Sequence, residues 1–217
     1  MSEGFRLETS KGDVAAAWHD GGKRASALVV AHGAGAGMDH PFMTGFCDEL
    51  AAAGVSALRF NFPYLEAGRK SPGSPKDATA AVVAAVDAAT ARSGGRPVFA
   101  GGKSYGGRMA SMAAAEGMPA AGLVFLGYPL HAPGRSDQPR DEHLYGLKIP
   151  MLFLQGTKDP FADPDVLAGV LRKLGKRATY VPFKDAGHSF ERSRKDKPRD
   201  NAAQLVPDVV DFVKGNS

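Results

Sequence analysis

The chain has 217 residues, 43% of them hydrophobic and 23% charged, ordinary values for a globular fold long enough to bury a core without disulfides or metals. Its 27 basic and 23 acidic residues leave a net charge of +4, gathered in no stripe of the kind that grips nucleic acid. One cysteine, Cys47, excludes an intramolecular disulfide and a multi-cysteine metal centre; no apolar run has bilayer-spanning length, and without a signal-like segment in residues 1–18 a cytoplasmic location is expected.

Residues 5–9 and 14–18 are half-apolar runs joined by Ser10-Lys11-Gly12-Asp13, which predicts an antiparallel hairpin at a sheet edge. Residues 25–31 are densely apolar, fit for a strand buried on both faces, and run into the glycine-rich segment 32–37. Phe42, Phe46, Leu50 and Ala53 share one face of a helix predicted over 41–54, with Pro41 in its first turn and Gly54 at its end. Alternation continues with a strand at 55–60, a Pro/Gly-rich loop at 61–76, and a helix at 77–91. A short buried strand at 97–101, a helix at 106–116 and a strand at 123–126 follow. The long loop 127–148 has room for one helical turn. A strand at 150–155, a helix at 164–174, a strand at 178–181 and an amphipathic helix at 201–214 complete the chain. The mixed charges of 191–200 suit a solvated loop.

Strands alternating with helices imply a single α/β domain over 1–217, a mainly parallel sheet covered on both faces. Ligands bind such sheets beyond the carboxyl ends of the strands. The loops that follow Ala31, Ala100, Gln155 and Val181 should therefore share one rim.

That rim carries the chemistry. Gly102-Lys103-Ser104-Tyr105-Gly106 is a G-x-S-x-G turn between a predicted strand and a predicted helix. A sharp turn there lifts the serine Oγ out of the sheet and aims the Tyr105 N–H at an incoming oxyanion. Overlapping alternatives fail on spacing: a P-loop needs glycine where Pro97 stands, and a dinucleotide fingerprint needs it at Met38. A nucleophilic serine needs a base, and the base an orienting acid. His188 and Asp159 supply both at strand ends, in the order Ser, Asp, His. Asp163, which reads as a helix cap, and Asp185, close to His188 in sequence, are competing acids. The Ala34 N–H, in the loop after the first buried parallel strand, is the second oxyanion donor. His32 reads as a brace for that loop. His40, Phe42, Tyr128 and Phe161 are candidates to line a shallow pocket, His40 equally a helix start. Cys47 carries no mark of reactivity. Lys103 and Arg108 are expected to bond to nearby carboxylates or carbonyls; attracting an acidic substrate is the other reading.

The segments 31–37, 101–109, 127–131, 155–161 and 187–190 resemble those of the α/β-hydrolase superfamily. Within it they resemble a group of small proteins akin to dienelactone hydrolases. That group includes a testis-expressed hydrolase-like protein and the hydrolase-like subunit of the NSL acetyltransferase complex. The resemblance covers nearly the whole chain. It implies an α/β-hydrolase fold, a triad of Ser104, Asp159 and His188, oxyanion donors at Ala34 and Tyr105, and no metal or cofactor. Dienelactone hydrolases proper carry a cysteine where Ser104 stands, and residues 127–148 are too few for a lid domain. The expectation is a serine hydrolase acting on small carboxylic esters. The alternatives are a small-peptide or amide hydrolase, and a hydrolase-fold interaction protein without catalysis.

Overall fold

The computed structural model describes residues 2–217. Eight strands form one sheet in the order β1-β2-β4-β3-β5-β6-β7-β8. β1 (Ser2–Leu7) and β2 (Val14–His19) are the antiparallel edge hairpin, and β2 also pairs antiparallel with β4 (Ser56–Phe60). All remaining pairs are parallel: β3 (Ala27–Ala31) with β4 and β5 (Val98–Lys103), then β5 with β6 (Leu123–Leu126), β7 (Met151–Gly156) and β8 (Ala178–Phe183) in succession.

The central strands are buried on both faces, as their unbroken apolar runs require. Leu28, Val30, Phe99, Val124, Leu126, Leu152 and Leu154 join one core with α1 (Pro41–Ala52), α6 (Pro198–Ala203) and α7 (Val206–Gly215). Their alternates Val29, Ala31, Ala100, Leu123, Phe125, Met151 and Phe153 join the other, with α3 (Pro75–Arg92), α4 (Tyr105–Ala115) and α5 (Pro164–Leu174). This is the period-two alternation of side chains across a strand. Each large side chain so buried contributes about 1.5–3 kcal/mol relative to exposure.

Four sequence expectations are corrected. The first strand ends at Leu7, so Thr9 lies in the turn, where its hydroxyl bonds the Gly12 carbonyl. The strand before Ser104 extends through Lys103, paired to Leu126 of β6. The loop 61–76 contains a one-turn helix, α2 (Pro63–Glu66). The final helix is two helices, broken at Gln204 and Leu205. Pro207 has no N–H to continue the ladder and its ring would clash with the carbonyl four residues back.

The sheet order reverses around β3: the chain goes from β3 outward to β4, then crosses back to β5 on its other side. Such a switch point opens a crevice at the strands' carboxyl ends. The loops leaving β3 and β5 meet there.

Candidate active site

Ser104 occupies the turn between β5 and α4 with φ 51 and ψ −115. A non-glycine residue held there costs on the order of 1–3 kcal/mol, sustained only if the surroundings enforce it. The enforcement comes from two glycines pressed onto one carbonyl of β3. A Cβ on Gly102, whose φ is 148, would lie 2.0 Å from the Ala31 oxygen, and one on Gly106 would lie 2.2 Å from the same atom. The G-x-S-x-G spacing thus reflects how closely the turn rides over β3.

The exposed Oγ meets His188 in the loop after β8. Nε2 of His188 lies 2.8 Å from Ser104 Oγ, and Nδ1 lies 2.7 Å from Oδ2 of Asp159. Facing a carboxylate oxygen, Nδ1 carries the proton, which leaves Nε2 to accept from the serine hydroxyl. Asp159 is buried and fully engaged. Oδ1 accepts from the Phe161 N–H at 2.9 Å, and Oδ2 also accepts from the Gln155 amide. Gln155 in turn accepts the Tyr128 N–H at 2.8 Å. Gly127, at φ 72, lets this chain pass: a Cβ there would sit 3.0 Å from the His188 carbonyl. The ring of Phe161 packs on His188, centroids 4.4 Å apart.

The competing acids are committed elsewhere. Asp163 caps α5 through the N–H groups of Asp165 and Val166. Asp185 pairs with Lys158 at 2.8 Å.

The loop after β3 runs beside the serine turn, Gly33 facing Lys103 and the Ser104 Cβ. His32 pins it: Nδ1 donates to the Gly33 carbonyl at 2.7 Å, and Nε2 accepts the Phe62 N–H at 3.1 Å. Among the described residues, no acceptor takes the backbone N–H of Ala34 or of Tyr105. Both are free for an oxyanion.

His32 has a stability signature. Burial moves its pKa from 6.5 down to about 4. Between these values the unfolded chain binds a proton that the folded one refuses. His32 thus contributes fully above pH ~6.5, and up to about 3 kcal/mol is lost as the pH falls toward ~4. His19 and His143, lowered chiefly by burial, act in the same direction. Urea midpoints measured from pH 7 to 4.5 should therefore fall less steeply in His32→Gln than in the unmodified protein. Equal slopes would assign the acid sensitivity to other groups.

A cavity of about 510 Å³ opens over Ser104 and His188. Ala34, His40, Phe42, Tyr105 and Phe161 are among its lining residues. His40 also starts α1, its Nδ1 accepting the Phe42 N–H at 3.2 Å. Tyr128 is a correction: its side chain is buried between Phe125 and Phe153, with its hydroxyl on the Arg140 carbonyl, and does not line the cavity. The apolar drive to fill the core beneath the rim takes the ring inward. The sequence also missed one wall. Pro198 and Asn201 of α6 line the cavity, where the charges of 191–200 suggested a solvated loop and the predicted helix began only at Asn201. α6 reaches it by close packing on α1, where a Cβ on Gly45 would lie 2.6 Å from the Arg199 side chain. Cys47 is fully buried, its thiol pushed up to about 12 by burial, and is unsuited to attack.

A family model described as an alpha/beta hydrolase domain matches residues 24–214. The chain belongs to that family. Its fold recurs in a dienelactone hydrolase from Anabaena variabilis, 19% identical with a TM-score of 0.76, covering 100% of this chain and 98% of that one. A serine hydrolase without a lid from Xanthomonas campestris is 20% identical with a TM-score of 0.71, over 99% and 93% of the two chains. A serine hydrolase homologue from Coxiella burnetii is 17% identical with a TM-score of 0.74, over 95% and 97%. Like these, the family member described here is a mostly parallel sheet wrapped by helices. Among its described residues no helix is long and apolar enough to cross a membrane, and no cluster of three or more potential metal ligands occurs.

Proposed function

We propose that this alpha/beta hydrolase is a serine esterase acting on small carboxylic esters through an acyl-enzyme. The observation that carries the reading is the hydrogen-bond chain from Ser104 through His188 to Asp159 beneath an open cavity. In the first half-reaction Ser104 Oγ attacks the acyl carbon while its proton passes to His188 Nε2. The carbonyl oxygen becomes an oxyanion held by the N–H groups of Ala34 and Tyr105, each such donor being worth on the order of a hundred- to a thousand-fold in rate. The intermediate collapses, His188 protonates the departing alkoxide, and the acyl group stays on Oγ. In the second half-reaction a water gives its proton to His188 and attacks the acyl carbon. The carboxylic acid leaves as the proton returns to Ser104. Asp159 keeps His188 in the required tautomer and stabilises the imidazolium.

Support for compact substrates comes from residues 127–148. Their only regular structure is a 3-10 turn, Glu142–Gly146, so no helical cover stands over the cavity. Beyond the cavity's 510 Å³ a long acyl tail would lie in water, and each exposed methylene forgoes roughly 0.8 kcal/mol of binding. Nitrophenyl acetate and butyrate should therefore be turned over with higher kcat/KM than octanoate and palmitate, without a rate jump at the micellar limit. A palmitate preference, or activation at an interface, would contradict this reading of the cavity.

A further inference from the structure

The charges around the cavity have one sign. Lys103, Arg108 and Arg140 line it, and among the described residues no Asp or Glu does. The expectation that Lys103 and Arg108 bond to nearby carboxylates or carbonyls is corrected: no carboxylate lies within ion-pair distance of either, and neither side chain hydrogen-bonds within the protein. Lys103 is nonetheless almost wholly buried beside Ser104. Arg108 Nε is buried with no partner, as is the Tyr105 hydroxyl. Asp141, across the loop from Arg108, is occupied by the Tyr145 hydroxyl. Buried donors left unpaired are destabilising, so Arg108 Nε and the Tyr105 hydroxyl, both on residues that line the cavity, mark a place where something else completes them.

Arg108 stands one helical turn after the serine, its N–H bonded to the Ser104 carbonyl at 3.1 Å. Ser104 precedes α4 and Arg108 lies in its first turn, and both line the same cavity. An anion seated on Arg108 would thus lie a few methylenes from an acyl carbon at Ser104. Phe42, Met43, Pro129 and Phe161 add apolar side chains to the lining of the same cavity. A short hydrocarbon chain with one anionic end matches both features, and the planar guanidinium suits a carboxylate bidentately.

We propose that the preferred substrates are hemiesters of short dicarboxylic acids, whose free carboxylate is bound by Arg108 with Lys103 and Arg140. This substrate class rests on the esterase reading, whereas the anion site itself does not.

The test compares 4-nitrophenyl hydrogen glutarate with neutral 4-nitrophenyl pentanoate as a ratio of kcat/KM values within each protein. The unmodified protein should favour the glutarate ester at least tenfold. Arg108→Gln should bring the ratio to about one, Arg108→Lys should restore part of it, and Arg140→Gln, at an exposed position, should lower it less. A ratio unmoved by Arg108→Gln, or a preference of the unmodified protein for the neutral ester, would overturn the proposal. Glutarate binding to Ser104→Ala, followed by calorimetry, reads the anion site without turnover. It should be tighter than that of inorganic phosphate and at least tenfold weaker in Ser104→Ala/Arg108→Gln. Binding with neither ester hydrolysed would overturn the esterase reading and keep the site. Absence of glutarate binding, or phosphate bound in its place, would overturn the site. If Arg108→Gln fails to fold, the Arg140→Gln ratio and the glutarate binding of Ser104→Ala decide in the same way.

Discussion

Ser104→Ala should lower turnover of a small nitrophenyl ester by about a million-fold while the protein stays folded. Loss of a nucleophile that works as a unit with its base removes nearly all of the unit's effect, leaving only oxyanion stabilisation and binding. Alanine keeps the Cβ and removes only Oγ, and the turn is held by Gly102 and Gly106 against β3, not by any hydrogen bond from the hydroxyl to the backbone. Circular dichroism and the urea midpoint should therefore match the unmodified protein. Turnover reduced less than a hundred-fold would mean that another group attacks.

Asp159→Asn should reduce kcat by about ten-thousand-fold. The carboxylate accepts a hydrogen bond from the His188 Nδ1–H, and an amide placed there can present its NH2 instead, driving the imidazole to the tautomer that cannot accept from serine. The Phe161 N–H would still donate to the remaining side-chain oxygen and hold the new side chain in place, so the loss should appear in kcat with the fold intact. Asp163→Ala is the matched comparison. It removes the cap of α5 and should lower stability by about 1 kcal/mol with turnover within a few-fold. Greater loss of activity in Asp163→Ala than in Asp159→Asn would reassign the acid.

The two experiments use residues that stood out in the sequence, and the reason is local. The serine turn, the β3 loop and the loops of Asp159 and His188 each follow a parallel strand, so the strand-helix alternation brings them to one rim. Helix α5 was equally legible, from Asp163 and Pro164 at its start to Gly175 at its end. What escaped depends on contacts far apart in the chain. Whether a rim aromatic points up into a cavity or down into the core is decided by neighbours. Tyr128 goes down because Phe125 and Phe153 wait below it. The Tyr128 N–H on Gln155, and α6 as a cavity wall, exist only once β6 meets β7 and α6 meets α1. The unpaired state of Arg108 is of the same kind: composition shows enough acids to neutralise it, and only the fold shows that none forms an ion pair with it.

Covalent labelling tests the central claim most directly. A fluorophosphonate added to the native protein should be attacked by Ser104 Oγ at phosphorus with loss of fluoride. Intact mass should rise by a single adduct, peptide mapping should place it on Ser104, and Ser104→Ala should remain unlabelled. An adduct that persists in Ser104→Ala, or ester hydrolysis that continues undiminished with Ser104 unmodified by the probe, would contradict the assignment of Ser104 as the nucleophile.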